Sequence, residues 1–238
     1  MSGRHLIHRL TQLITNILSA DVCLACGHGI RQGEDFCPAC RKRIKRVANP
    51  CPACALPNRV NQGVCPTCLL NPPRWQKMTA PLQYRGLVRD YLIQLKFSDA
   101  LHLGKSLCLQ CLDCFEKESP RPEVLLPVPL HPQRLRERGY NQAFEIARIC
   151  SRELNIPLNR RALSRIRATP SQSGLSAAKR HTNIRNAFHY DPPQTYRHVA
   201  LVDDIVTTAS TVDEITRVLH RGGVESVEVW ALARVYRD

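Results

Sequence analysis

Acidic side chains are scarce in this sequence: 20 Asp and Glu stand against 34 Lys and Arg, for a formal net charge of +14. A surface of that sign favours polyanions over other partners, and phosphate is the obvious ligand. Aromatic residues make up only 5%, which leaves little material for a nucleic-acid site built on base stacking. Long apolar runs are missing as well: nowhere do about twenty apolar residues follow one another, as a membrane-spanning helix requires. Nor is there an unbroken apolar stretch of the secretory type near the start, so the expected location is cytoplasmic. The 43% hydrophobic content of 238 residues still suffices for one medium core and a small attachment, which excludes a disordered chain.

In residues 1–20, Leu6, Ile7, Leu10, Leu13, Ile14, Ile17 and Leu18 recur at helical spacing with polar residues between them. This predicts an amphipathic helix, either a lid packed on its own protein or a membrane or partner helix.

Cysteine is concentrated rather than scattered. Of the twelve, eight lie between Cys23 and Cys68 as four C-x-x-C pairs: Cys23 and Cys26, Cys37 and Cys40, Cys51 and Cys54, Cys65 and Cys68. Each pair is ten residues from the next, a period of fourteen. A C-x-x-C turn aims two thiolates at one point and a second turn completes a zinc tetrahedron, so eight cysteines make two four-cysteine structural sites. Disulfides or a redox dithiol are the alternatives, but a reducing compartment and four equal pairs argue against them. Consecutive pairing of the turns closes shorter loops than interleaved pairing, and spacing leaves both open. Two filled sites would lower the formal charge from +14 to about +10. The cluster carries a basic run, Arg41, Lys42, Arg43, Lys45 and Arg46, readable as a phosphate-backbone grip or as a solvated face. Cys108, Cys111 and Cys114 lack a second turn and sit in an apolar helical stretch, Ala100 to Phe115, where cysteine acts as a small hydrophobe.

Near the other end, Val199 to Val202 is an apolar strand, Asp203 and Asp204 follow, and Val212, Ile215, Val218 and Leu219 have helical spacing. Between strand and helix stand Thr207, Thr208, Ala209, Ser210 and Thr211. A hydroxyl-rich loop entering a helix N-terminus suits a phosphate, and two carboxylates at a strand end can accept from a vicinal diol. The alternative is an ordinary capped turn.

Val202 to Thr211 resembles the phosphoribosyl pyrophosphate (PRPP) motif of type I phosphoribosyltransferases. Together with the zinc cluster, Leu95-Lys96-Phe97, Pro127-Val128-Pro129-Leu130, Arg138-Gly139-Tyr140-Asn141-Gln142 and Arg167 to Gln172, the whole chain resembles the ComF family of competence-associated proteins, GntX and YhgH types included. The resemblance implies a double zinc ribbon before a phosphoribosyltransferase-like domain, PRPP bound with magnesium, and a role in handling imported DNA. Within it, Asp203 and Asp204 would hold the ribose hydroxyls, in the catalytic position. Thr207 to Thr211 would wrap the 5′-phosphate, and Val128, Pro129 and Arg138 would lie on the pyrophosphate side. Ala209 departs from the family's glycine, where backbone approaches phosphate closely.

The expected organisation is the helix over 1–20, zinc ribbons over 21–72, a proline-marked join over 73–82 and an α/β domain over 83–238 with helices on both faces of a parallel sheet. From His131 to Tyr190 twelve basic residues face three acidic ones, a local +9, which suggests a nucleic-acid track or a solvated face. Thr169 to Ser176 has the composition of a mobile loop over a substrate. Three functions follow: a PRPP-binding protein handling single-stranded DNA, with other DNA-uptake or DNA-processing proteins as partners; a salvage enzyme transferring phosphoribose to a nucleobase; or a non-catalytic PRPP sensor on a nucleic-acid adaptor.

Overall fold

The computed structural model describes residues 21–58, 63–97, 100–116, 120–168 and 184–236. The helix expected over 1–20 and the loop over 169–176 lie outside the described residues. The chain divides into two compact units, Met1–Ile44 and Lys45–Asp238. The first contains the Cys23 to Cys40 ribbon. The second contains the Cys51 to Cys68 ribbon and the α/β body.

In the first unit, the backbone N–H of Gly27 donates to the Cys23 carbonyl at 2.8 Å, and Gly27 has φ +70, a turn that glycine adopts without a Cβ penalty. Cys37 then caps helix α1, Pro38–Arg41, whose proline stands in the first turn, where its missing N–H costs nothing. The second ribbon repeats this 28 residues on. The N–H of Ala55 donates to the Cys51 carbonyl at 2.8 Å, with Ala55 at φ +56, and Cys65 stands at the N-cap position of helix α2, Pro66–Leu70, without a side-chain capping bond. The structural repeat is therefore 28 residues, twice the cysteine period.

The body is a parallel sheet. Strands β1 (Lys77–Thr79) and β2 (Leu82–Gln83) precede helices α3 (Gly86–Phe97), α4 (Leu101–Leu109) and α5 (Leu112–Glu116). Then come β3 (Val124–Pro127), α6 (Pro132–Arg138), α7 (Gln142–Leu154), the short hairpin strands β4 (Leu163–Arg165) and β5 (Phe188–Tyr190), β6 (His198–Val206), α8 (Ser210–Arg221) and β7 (Ser226–Arg234). The sheet order is β1, β7, β6, β3, with β2 also on β7; every pairing is parallel. Strands β4 and β5 pair antiparallel, as a separate two-stranded sheet. Strands β6 and β7 are buried almost end to end, in keeping with the apolar stretches Val199 to Val202 and Val229 to Ala233 within them.

Residues 73–82, expected as a join, contribute strand β1 and the start of β2. Met78 is 2% exposed and pairs with Val229, and Leu82 is 0% exposed and pairs with Ala233. The proline between the two segments, Pro81, is buried, and its carbonyl accepts the Val47 N–H at 2.8 Å. The helix expected over 100–115 is two helices, broken at Gln110 and Cys111. Cys108 and Cys111 are fully buried, and the Cys108 and Cys150 sulfurs lie 3.6 Å apart between α4 and α7. Phe115 stacks on Trp230 at 5.0 Å between ring centroids, fixing α5 against the centre of β7.

Candidate functional site: two cysteine tetrahedra and a hydroxyl-rich loop

The cysteines converge in two groups, Cys23, Cys26, Cys37 and Cys40, and Cys51, Cys54, Cys65 and Cys68, with the four sulfurs of each group within 4.8 Å of one another. A ZnS4 tetrahedron with bonds of about 2.3 Å has edges of about 3.8 Å, and Cys26 to Cys37 and Cys54 to Cys65 both stand at 3.8 Å. The donor set fits zinc, and the pairing of the turns is consecutive. Backbone amides complete the thiolate environment: Cys40 N–H donates to Cys37 Sγ at 3.4 Å and Cys65 N–H to Cys51 Sγ at 3.3 Å. Burial alone would push the Cys23 and Cys51 thiols up; amide donors outweigh it and bring them down to about 6 and about 7.

The basic run after Cys40 is partly committed. Arg41 pairs with Glu34 at 3.5 Å, and Arg46 is clamped by both carboxylate oxygens of Asp113 and by the Gln110 carbonyl. Lys42, Arg43 and Lys45 remain on the surface.

At the carboxyl end of β6, Asp203, Ile205 and Val206 line a small pocket with Thr207, Thr208, Ala209, Ser210, Thr211 and Val212. The loop turns through Ala209, which caps α8 in the left-handed region at φ +63 and ψ +4. An alanine thus adopts the backbone that glycine would take freely, at a cost of about 1 kcal/mol. Thr208 Oγ1 and Ser210 Oγ are hydrogen-bonded at 3.0 Å, while Thr207 and Thr208 are exposed. The first-turn amides of α8, a 12-residue helix, open toward this loop, the usual environment for a phosphate.

The two carboxylates are not equivalent. Asp203 lines the pocket, and burial together with the neighbouring Asp204 carboxylate pushes its carboxyl well above the ordinary range. Asp204, 8% exposed, meets Lys96 Nζ at 3.0 Å. Burial works against the Lys96 ammonium, but Asp204, with Asp203 behind it, outweighs burial and holds that group above its ordinary value.

The segment from Pro127 to Leu130 runs beside these acids, because Val128 N–H donates to the Val202 carbonyl at 2.8 Å. Pro129 follows at the half-buried rim. Asn141 Nδ2 donates to the Val128 carbonyl at 3.0 Å, while its Oδ1 caps α7. Arg138 donates to Gln142 Oε1 at 3.2 Å, and Gln142 Nε2 and Tyr140 Oη both donate to the Leu95 carbonyl. The Arg138 to Gln142 motif therefore anchors the end of α3, one residue from Lys96, and the Val128 turn at once.

A family model described as the double zinc ribbon domain matches residues 14–69. Competence protein F of Haemophilus influenzae is 37% identical over 175 residues, covering 70% of this chain and 76% of its own length. The chain belongs to the ComF family. Another ComF-like relative, the DNA utilization protein YhgH of Escherichia coli strain K12, is 37% identical over 171 residues and covers 70% and 75%. Competence protein ComFC of Bacillus subtilis is 26% identical over 156 residues, 63% of this chain and 61% of that protein. Among solved structures, adenine phosphoribosyltransferase of Leishmania donovani overlaps 58% of this chain and 56% of its own at 14% identity and TM-score 0.34; an overlap of that size adds nothing about the site.

Two cations reach the candidate site of this ComF-family chain from outside its local motif: Lys96, on Asp204, and Arg234, which donates to the Val206 carbonyl. Lys96 lies in Leu95-Lys96-Phe97, but its partner is 108 positions away. Arg234 carries no motif at all.

Proposed function

We propose that the loop after β6 binds PRPP and that the protein acts on, or in company with, single-stranded DNA during competence or DNA utilisation in the cytoplasm. The observation that carries the PRPP reading is the juxtaposition of Asp203 with the hydroxyl-lined loop Thr207 to Thr211 at the start of α8. In this reading the loop holds the 5′-phosphate, Asp203 and Asp204 accept from the ribose hydroxyls, and the pyrophosphate lies toward Val128, Pro129 and Arg138. Magnesium bound with PRPP would neutralise pyrophosphate charge. Asp204 takes the ribose only by sharing Lys96, so Lys96 stands where it can follow the incoming anion.

The DNA reading draws on the printed names of the relatives, competence protein and DNA utilization protein, and on the +9 stretch. Part of that charge is spent locally: Arg148 pairs with Glu145 at 2.8 Å and Arg152 with Glu153 at 2.5 Å. Like charge is also concentrated around Arg165, whose guanidinium is brought down to about 10 by burial and by the charges of Arg134 and Arg167. Clustered guanidiniums of this kind suit a phosphate backbone.

One experiment tests the reading: incubation with labelled PRPP, magnesium and a pool of nucleobases, nucleotides and single-stranded DNA, with binding and pyrophosphate release measured. Release with one acceptor makes the protein a transferase and names its substrate. Binding without release makes it a PRPP-dependent nucleic-acid protein. No binding of PRPP rejects the site.

A further inference from the structure

Arg234, the last residue of β7, is 6% exposed. A guanidinium so deeply placed must satisfy its donors or cost several kcal/mol. Its hydrogen bonds go to carbonyls on two different parts of the second unit. Nε donates to the Cys54 carbonyl at 2.9 Å, within the second cysteine tetrahedron. Nη1 donates to the carbonyls of Val206, at 2.9 Å, and Thr207, which open the phosphate loop, and to that of the adjoining Val235 at 3.3 Å. Val235 N–H also donates to the Val206 carbonyl at 2.9 Å.

Two further groups of the body grip the same turn of the ribbon. Trp75 Nε1 donates to the Ala53 carbonyl at 2.6 Å, and Met78 N–H to the Pro52 carbonyl at 2.9 Å. Three consecutive carbonyls, Pro52, Ala53 and Cys54, are thus held by the body, and Arg234 is the one holder that also reaches the loop. A four-cysteine zinc site bears a net charge of about −2, which makes the ribbon the natural counter-charge for this cation.

The loop consequence follows from peptide planarity. In a trans peptide the N–H points opposite to the C=O of the same unit. With the Val206 and Thr207 carbonyls drawn toward Arg234, the N–H groups of Thr207 and Thr208 are turned away from the ribbon, as an anion in the loop requires.

We propose that Arg234 is a positioning residue through which the second zinc site holds the phosphate loop in its anion-binding shape. The proposal rests on the phosphate-loop reading above, and goes beyond it by giving that zinc site a role in ligand affinity as well as in folding.

The test compares Arg234→Lys and Arg234→Met with the full-length wild type. Three quantities are measured: zinc per chain, affinity for PRPP and for inorganic pyrophosphate, and amide hydrogen exchange of the peptide over residues 205–211. The expected result is two zinc ions retained, exchange over 205–211 accelerated, and affinity for PRPP lowered at least about tenfold in Arg234→Met, or about 1.4 kcal/mol, with a smaller loss in Arg234→Lys. Unchanged exchange over 205–211 in a folded Arg234→Met overturns the proposal. Accelerated exchange in a protein whose wild type binds neither PRPP nor pyrophosphate instead rejects the ligand assignment and leaves the coupling standing. If neither variant folds, zinc is withdrawn from the wild type by graded chelation. Exchange over 205–211 should then rise as the second site empties, and protection that survives complete zinc loss overturns the proposal.

Discussion

Lys96 and Asp204 face one another at 3.0 Å, while Asp203, one residue back, lines the pocket and accepts the Asp204 N–H at 2.9 Å. The pair divides the two adjacent carboxylates into one compensated by a cation and one held under strain by burial.

That division predicts opposite stability effects. The Asp203 carboxyl is raised in the folded state, so the folded protein holds more protons than the unfolded chain, and stability falls as pH rises from about 4 through the raised value. Asp203→Asn removes this penalty and should stabilise the ligand-free protein at neutral pH by roughly 0.5 to 2 kcal/mol, with a flatter pH dependence. Asp204→Asn strands the Lys96 ammonium and should destabilise it by about 1 to 3 kcal/mol. Urea denaturation at about pH 5 and about pH 8 separates the two variants; equal shifts would refute the asymmetry.

The ribose assignment predicts that Asp203→Asn with Asp204→Asn loses most PRPP affinity, because each charge-assisted hydrogen bond contributes about 1.5 to 3 kcal/mol. Calorimetry reads this directly. Full affinity in a folded double variant would remove the carboxylates from the site.

Ala209 sits in the left-handed region at φ +63. Valine there is a backbone outlier, so Ala209→Val should cost roughly 1 to 3 kcal/mol and weaken PRPP binding. Ala209→Gly should keep both, as thermal melts and calorimetry would show.

Two zinc ions per chain are expected in protein purified without added metal, measured by elemental analysis. A value near zero with eight titratable thiols in folded protein contradicts the tetrahedra. Chelation should unfold both ribbons, since metal binding supplies much of their folding free energy.

For single-stranded DNA, neutralising about five phosphates gives a slope of log K against log salt near −3.5, or roughly a hundredfold loss of affinity between about 50 and 200 mM. Arg134→Gln with Arg167→Gln should flatten that slope by about 1.4. A slope the double change leaves untouched would place the DNA contacts elsewhere.

The cysteine tetrahedra and the strand, loop and helix around Asp203 to Thr211 were legible in sequence because their parts are local. Four C-x-x-C turns bring their own ligands together, and Asp203 to Thr211 runs continuously from strand to loop to helix. The parallel sheet was legible in the apolar runs of β6 and β7 for the same reason. Residues 77–83 were not, since β1 and β2 are only three and two residues long. Too short for periodicity to register, they become strands only against β7.

Lys96 opposite Asp204 and Arg234 between Cys54 and Thr207 are matters of tertiary structure. The Arg234 to Cys54 bond spans 180 positions. A lone Lys or Arg looks like solvated charge in a sequence already rich in both, and only the folded sheet leaves Lys96 half-buried and Arg234 buried. Burial removes water as a partner, and that loss forces each to find a carboxylate or a carbonyl far along the chain. Sequence alone determined which local motifs this chain carries, because their residues lie close together along it; the packing of β6 and β7 decided which distant charges meet them.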